Sequence, residues 1–465
     1  MAYTTITDLA ADTTYTAGTY YMDANHNANS KKLTLDCNAG DIIIKRNGDV
    51  YWTSAGELQT TNSGTYKVYF TVKDDDTVGD TISGSTGSPA VSGGSWNNAV
   101  IITGYVVAFI NWEIRWATNV AFIIHNGNYN TIFYNITFKN CAYSIATANS
   151  YVIDLRYQRG VQGTNYHDIL FDNTNTLTSS TGLLKYSTRD AVYNITVAAA
   201  NTTCTTGIIY ENIFWNSTTY NSVISSCIKI LNAGTGYGFV GGNRNHAFGT
   251  IDFRFCYCSI VIAKDDSSHE QNTIIQDCLF DANIISTSSY PITLSIGSIS
   301  VVRLKNCVFN GTAKAIYSVC YRTEIFNCIF KSITSYVFGT SSKVTACRNN
   351  IFDSNTAISQ GALTTPCGIK NNGYYNNTSE TNWTRGPYDT TISAPSWGNF
   401  PNGTLHADWL TYGPGDGWYT TQDIATGADT NSFVGIGTTN QSHTGTTETA
   451  VTQRLGLAPV FSVLV

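Results

Sequence analysis

A four-residue word recurs between residues 277 and 377, and it narrows the folds open to this chain. It reads Asp277-Cys278-Leu279-Phe280, Asn306-Cys307-Val308-Phe309, Asn327-Cys328-Ile329-Phe330, Asn349-Asn350-Ile351-Phe352 and Asn372-Gly373-Tyr374-Tyr375. Asn or Asp stands first, an apolar residue third and an aromatic ring fourth. The starts are 29, 21, 22 and 23 residues apart. A repeat of this length is one supersecondary unit that buries its apolar face only by stacking on its neighbours.

Helical repeats need runs of about 10 residues or more with helical periodicity, and none is visible. The words sit in short runs such as Thr323-Glu324-Ile325-Phe326, rich in β-branched and aromatic residues. Asn, Ser, Thr and Gly separate them, residues that favour turns through local hydrogen bonds and tolerance of positive φ. No regular leucine spacing supports a leucine-rich horseshoe. The pattern therefore predicts an all-β parallel β-helix, a solenoid whose coils are short strands joined by turns.

Stacking in register explains the repeated identities, because equivalent side chains of successive coils lie roughly 4.8 Å apart. Phe280, Phe309, Phe330, Phe352 and Tyr375 are expected to form one aromatic stack. Cys278, Cys307 and Cys328 are expected to form a thiol column on the same face by strand alternation. Asn306, Asn327 and Asn349 are expected to share amide hydrogen bonds at a turn. The cysteines read as small buried hydrophobes rather than metal ligands, since no Cys-x-x-Cys or Cys/His cluster accompanies them.

Composition bears on partners and compartment. The chain has 465 residues, of which 12% are charged, about half the usual share of about 25%. Its 39 Gly and 29 Tyr, with many Thr, Asn and Ser, give a surface of neutral polar groups. Such a surface suits protein packing or carbohydrate contact. The net charge of −6 and the lack of a basic block argue against nucleic acid. No apolar run reaches the roughly 18 residues a membrane helix needs. The opening Met1-Ala2-Tyr3-Thr4-Thr5-Ile6 has neither a basic nor an apolar segment of a secretory signal, so synthesis in a cytosol is expected. Twelve cysteines there read as reduced thiols. The Asn-x-Ser/Thr triplets at Asn135, Asn194 and Asn310 follow from Asn/Thr richness. An extracellular-looking β protein without an export signal fits a virus of bacteria, whose parts are made in the host cytosol and released by lysis.

Taken in order, residues 1–18 read as a polar arm. Residues 19–98 read as a β cap over the solenoid end, with Asn47-Gly48 between Ile44 and Tyr51 as a hairpin-type signal. Within it, Lys73-Asp74-Asp75-Asp76-Thr77-Val78-Gly79-Asp80 opens an insertion that runs through Gly and Ser to Trp96. Clustered carboxylates at Asp74, Asp75, Asp76 and Asp80 would suit Ca²⁺, which takes six to eight oxygens. A solvated acidic turn is the simpler reading of them. Residues 99–377 read as the solenoid, with looser words at Asn119, Asn135, Asp168, Asn194 and Glu211, and a strong strand over Phe253–Ile262. Some of these words are expected on different faces. Residues 378–465 read as a capping or oligomerisation region. The apolar tail Leu455 to Val465 is expected to be buried against its own coils or a neighbouring subunit.

Chemistry is thinly signalled. Lys264-Asp265-Asp266-Ser267-Ser268-His269-Glu270 is the densest acidic cluster, and Asp265, Asp266, His269 and Glu270 are its candidate catalytic groups. Gly242-Asn243-Arg244-Asn245-His246 and Leu405-His406-Ala407-Asp408 are further candidates, and each of the three clusters reads more simply as a polar inter-strand loop. No triad order, P-loop or dinucleotide fingerprint stands out.

The word Asn327-Cys328-Ile329-Phe330 and its relatives resemble the right-handed, single-stranded β-helix repeats of pectate-lyase-like and phage tailspike-like proteins, over roughly residues 99–377. The insertion at 73–96, with Asp74-Asp75, Val78-Gly79 and Gly94-Ser95-Trp96, is similar to a segment near the start of bacterial β-helical surface proteins. The opening Met-Ala-Tyr-Thr-Thr-Ile is similar to openings of structural proteins of marine bacteriophages. These resemblances imply a virion structural protein: a spike, fibre or capsid-decorating protein, homotrimeric, bound to other virion proteins and touching host surface glycans. They require no cofactor. Two other classes compete. Lyases and hydrolases of this shape act on polysaccharides, the latter through two carboxyl groups roughly 5 to 9.5 Å apart. A cell-surface adhesin is the third.

Overall fold

The computed structural model describes most of residues 3–90 and 301–391 with their side chains, and between 91 and 300 chiefly strands. Beyond 391 it describes Trp397–Gly398, Tyr419–Thr420 and Gln453–Arg454. The chain is an all-β parallel solenoid, and no helix occurs among the described residues. It divides into two compact units, Met1–Phe214 with Lys229–Val240, and Trp215–Ile228 with Gly241–Val465.

The second unit has three-sided coils. One coil runs Arg322–Phe326, Ile329–Lys331 and Tyr336–Phe338, and the next begins with Val344–Arg348. Each strand pairs in parallel with its equivalent one coil away, as in Leu304↔Ile325, Phe309↔Phe330 and Ile316↔Phe338. Parallel pairing in register sets each side chain against its equivalent in the next coil. The corner after the middle strand is left-handed at Gly311, Ser332, Ser354 and Asn376, with φ of 66°, 55°, 55° and 48°. Gly and Asn tolerate that region, and Ser354 Oγ makes a local hydrogen bond to Asp353 Oδ1 at 2.7 Å.

The aromatic stack forms inside these coils. Phe280–Phe309, Phe309–Phe330 and Phe330–Phe352 have ring centroids 4.7, 4.8 and 5.1 Å apart and interplanar angles of 17°, 15° and 11°. All four rings are fully buried. The fifth place belongs to Tyr374, not Tyr375: Phe352 pairs with Tyr374 in the ladder, and their rings stack at 5.1 Å. The fifth word is therefore Asn371-Asn372-Gly373-Tyr374, one residue earlier than its sequence suggested. The seven described cysteines, Cys278, Cys307, Cys328 and Cys347 among them, are buried thiols without disulfides. Cys307 lies in side-chain contact with both Cys278 and Cys328, so the thiol column forms.

In the first unit, parallel pairing starts well before residue 99. Gly18–Met22, Ile42–Arg46 and Val68–Val72 stack in register, and Val68–Phe70 pair with Trp112–Ile114. Leu33–Asp36 and Leu58–Thr61 form a second column that meets Val107–Ala108. Thr4–Thr5 of the expected arm pairs with Tyr20–Tyr21. Residues 19–72 thus supply solenoid coils. Ile42–Arg46 has no antiparallel partner, and Trp52–Ser54 pairs in another sheet with His26–Asn27 and Val100–Ile102. The signal at Asn47 marks a corner between sheets, not a hairpin; the same turn residues serve either geometry.

The long strands Val107–Arg115 and Thr131–Lys139 span both columns. Each bends at a left-handed asparagine, Asn111 (φ 58°) and Asn135 (φ 54°), and Asn135 Nδ2 donates to Asn111 Oδ1 at 2.8 Å. Asn135, Asp168 and Asn194 head words that align in one sheet, with Phe138 stacked on Phe171 at 4.6 Å. The word at Asn119 falls on another sheet through Phe122↔Ile153. The run Phe253–Ile262 is not one strand: Gly249–Arg254 and Ile260–Ala263 belong to different sheets.

Candidate functional site

Among the described residues, charged side chains gather most densely on the outer face of the first unit, where the insertion after Val72 folds back over the sheet. Gly79 lies against Thr19 and Ile43 with φ of 64°. A Cβ there would sit 2.7 Å from the Thr19 hydroxyl and 3.0 Å from Ile43, so only glycine permits the approach. Asp80 N–H donates to Thr19 Oγ1 at 2.9 Å. Ile82 packs in fully buried. The strand beneath, Ile42–Arg46, is consequently buried on both faces, Lys45 and Arg46 included.

Buried charge requires partners: the acidic run supplies one for Lys45, and Arg46 Nη2 donates to the Trp116 carbonyl at 3.3 Å. Lys45 Nζ meets Asp76 Oδ1 at 3.4 Å, and Ser85 Oγ donates to Asp76 Oδ2 at 2.9 Å. Asp75 is buried and accepts from Thr71 Oγ1 at 2.8 Å, from the Thr77 hydroxyl, and from Arg115 Nη1 at 3.4 Å. Arg115 also bonds Glu113 Oε1 at 2.6 Å, while Lys67 Nζ meets Glu113 Oε2 at 2.8 Å. Asp74 Oδ1 accepts from Thr86 N–H at 2.6 Å. Burial alone would raise the Asp75 carboxyl, but Thr77, Thr71 and Arg115 outweigh it and hold it below the usual range. Burial likewise opposes ionisation of Glu113, and Lys67 with Arg115 hold it below its ordinary value.

The carboxylates of Asp74, Asp75 and Asp76 therefore point to different partners. Among the described residues no group of three or more His, Cys, Asp or Glu side chains is placed to share a metal ion. What this arrangement does chemically is clamp the insertion onto the sheet.

A second polar cluster closes the stack of the second unit. Asn350 Oδ1 accepts from Cys328 N–H at 2.8 Å, and its Nδ2 donates to Asn372 Oδ1 at 3.1 Å. Asn372 in turn donates N–H and Nδ2 to Asp389 Oδ1 at 2.8 and 3.0 Å. A carboxylate only accepts, so Asp389 ends the amide ladder. Its other oxygen accepts from Tyr374 Oη at 2.9 Å. Trp383 Nε1 donates to that same Oη at 2.8 Å, and its ring stacks on Phe338 at 5.4 Å. Burial, then the Asp389 charge, pushes the Tyr374 hydroxyl well above its ordinary value. A parallel ladder runs through Asn355 and Asn377.

The expected asparagines Asn306, Asn327 and Asn349 lie outside the described residues, as do the catalytic candidates Asp265, Asp266, His269 and Glu270, the clusters at 242–246 and 405–408, and the tail 455–465. The ladder observed is one position on, at Asn350 and Asn372. Sequence reading missed Asp389 and Trp383; the only sign was that Asp389 follows Asn372 by less than one coil. Compared with family models and with curated proteins, the sequence matches none.

Proposed function

We propose that this chain is a structural protein of a bacteriophage particle, a β-helical spike, fibre or decoration protein whose work is mechanical and adhesive. One observation carries the reading: carboxylates, buried at Asp75 and Glu113 and half-buried at Asp389, and buried amides are bound into the scaffold itself. Asp75, Glu113 and Asp389 hold strands, insertion and ladder end together. With the aromatic stack they make stiff coils. A stiff, mostly neutral β surface suits a part that is made in the host cytosol, assembles with other virion proteins and meets host glycans. The resemblance to tailspike-like repeats adds homotrimeric assembly.

Mass spectrometry of gradient-purified particles tests the reading. The chain is expected among the particle proteins at a stoichiometry comparable to known structural components. Its absence from particles, with the protein present in the lysate, overturns the proposal.

A further inference from the structure

We infer that a tyrosine-lined patch on the third sheet of the second unit binds an acidic saccharide, an inference that rests on the adhesive part of the reading above. Tyr290, Tyr317 and Tyr336 come from three successive coils. Tyr290 lies 5.5 Å from Tyr317 and 6.0 Å from Tyr336 between centroids, at 37° and 42°. All three are half-buried, so part of each ring remains open to solvent. Lys314 Nζ sits 5.1 Å from the Tyr290 ring and 5.6 Å from the Tyr336 ring. Two tyrosine faces thus fix one ammonium in place.

Three features point to a saccharide with a negative group. Tilted rings present C–H-binding faces, and their hydroxyls give polar edges suited to a ligand that is apolar on one side and hydroxylated on the other. Gln360 adds an exposed amide: Tyr290 Oη donates to its Oε1 at 3.4 Å, as does Thr340 N–H at 3.3 Å. Lys314 makes no ion pair with an acid among the described residues, leaving a positioned cation to meet a carboxylate or sulfate. Gly339 underlies the patch, since a Cβ there would meet Tyr290 and Tyr317 within 2.9 Å. Its lack of a side chain lets both rings lie low across the coil and form a platform.

Affinity electrophoresis of the full chain tests this, in gels containing polygalacturonate, dextran sulfate or neutral dextran. Retardation is expected in at least one acidic gel and weaker or none in neutral dextran. Tyr336→Ala should weaken retardation about tenfold, the loss of one ring face at about 1.4 kcal/mol. Lys314→Gln, a surface change that spares the fold, should remove the preference for the acidic polymers. Unchanged far-ultraviolet dichroism controls for unfolding of Tyr336→Ala. No retardation in any gel, or equal retardation of wild type and both variants, overturns the inference. Either result leaves the particle assignment standing, which only mass spectrometry of virions decides.

Discussion

The two units bury polar groups in opposite places. In the second, the polar order is internal and repeats with the coil: Asn350 and Asn372 hand the same hydrogen bonds down the stack to Asp389. In the first, the charged cluster is external and unrepeated: Asp75, Asp76, Glu113, Arg115 and Lys67 clamp one insertion to one stretch of sheet. A repeated ladder adds stability with each coil, as nearest-neighbour terms do in any solenoid. A clamp holds only what it touches. Substitutions in the second unit should therefore lower global stability, and those in the first should loosen one segment.

The largest effect is expected for Phe330→Ala, which empties the middle of the stack between Phe309 and Phe352. Large-to-small changes of this kind cost about 3–5 kcal/mol. Urea denaturation should show a lowered midpoint. A loss below about 1 kcal/mol would mean that the stacked rings carry no more than ordinary surface contact.

Next comes Asn350→Ala. It strands the buried Cys328 N–H and breaks the link to Asn372. A buried donor without a partner costs about 1–3 kcal/mol. The comparison sharpens if Asp389→Asn costs less, since an amide can still accept at the ladder's end.

In the first unit, Arg115→Gln removes the group joining Asp75 to Glu113. Deuterium uptake over residues 73–90 should rise while peptides from 301–391 stay unchanged; equal rises in both would erase the distinction between clamp and ladder. Acid should act in the same place. Both carboxyls titrate below their ordinary values when folded. Their contribution is complete above the unfolded pKa of about 4 and is lost as pH falls through the lower folded values. Exchange over 73–90 should accelerate only below about pH 4.

These differences explain what could be read from the chain. Phe280, Phe309, Phe330 and Phe352 were legible because stacking in register demands the same ring at the same place. Tyr374 was misassigned because Tyr374-Tyr375 and Asn371-Asn372 each offer two equivalent choices. The ladder pairing of Phe352 with Tyr374, their stacked rings and the hydrogen bond from Asn350 to Asn372 decide between them. The burial of Lys45 was illegible: an alternating strand places it outward, and only the returning insertion covers it. Trp383 and the tyrosine platform escaped for a related reason, since Tyr290, Tyr317 and Tyr336 share a surface but no repeated word. Repetition writes itself into sequence, whereas a single tertiary contact does not.

The smallest effects give the sharpest contrast, because they should differ in sign. Ser332 and Asn135 are both left-handed, at φ of 55° and 54°. At Ser332 glycine relieves the Cβ strain of that region, about 1–2 kcal/mol, against its own entropy cost of about 0.5–1 kcal/mol. Ser332→Gly should therefore raise stability slightly. At Asn135 the side chain also donates to Asn111. Asparagine already tolerates the conformation, so Asn135→Gly gains little and loses a hydrogen bond of about 0.5–1.5 kcal/mol. It should lower stability. If both changes stabilise, the Asn111–Asn135 contact contributes nothing, and the bend in the first unit is an ordinary corner like that of the second.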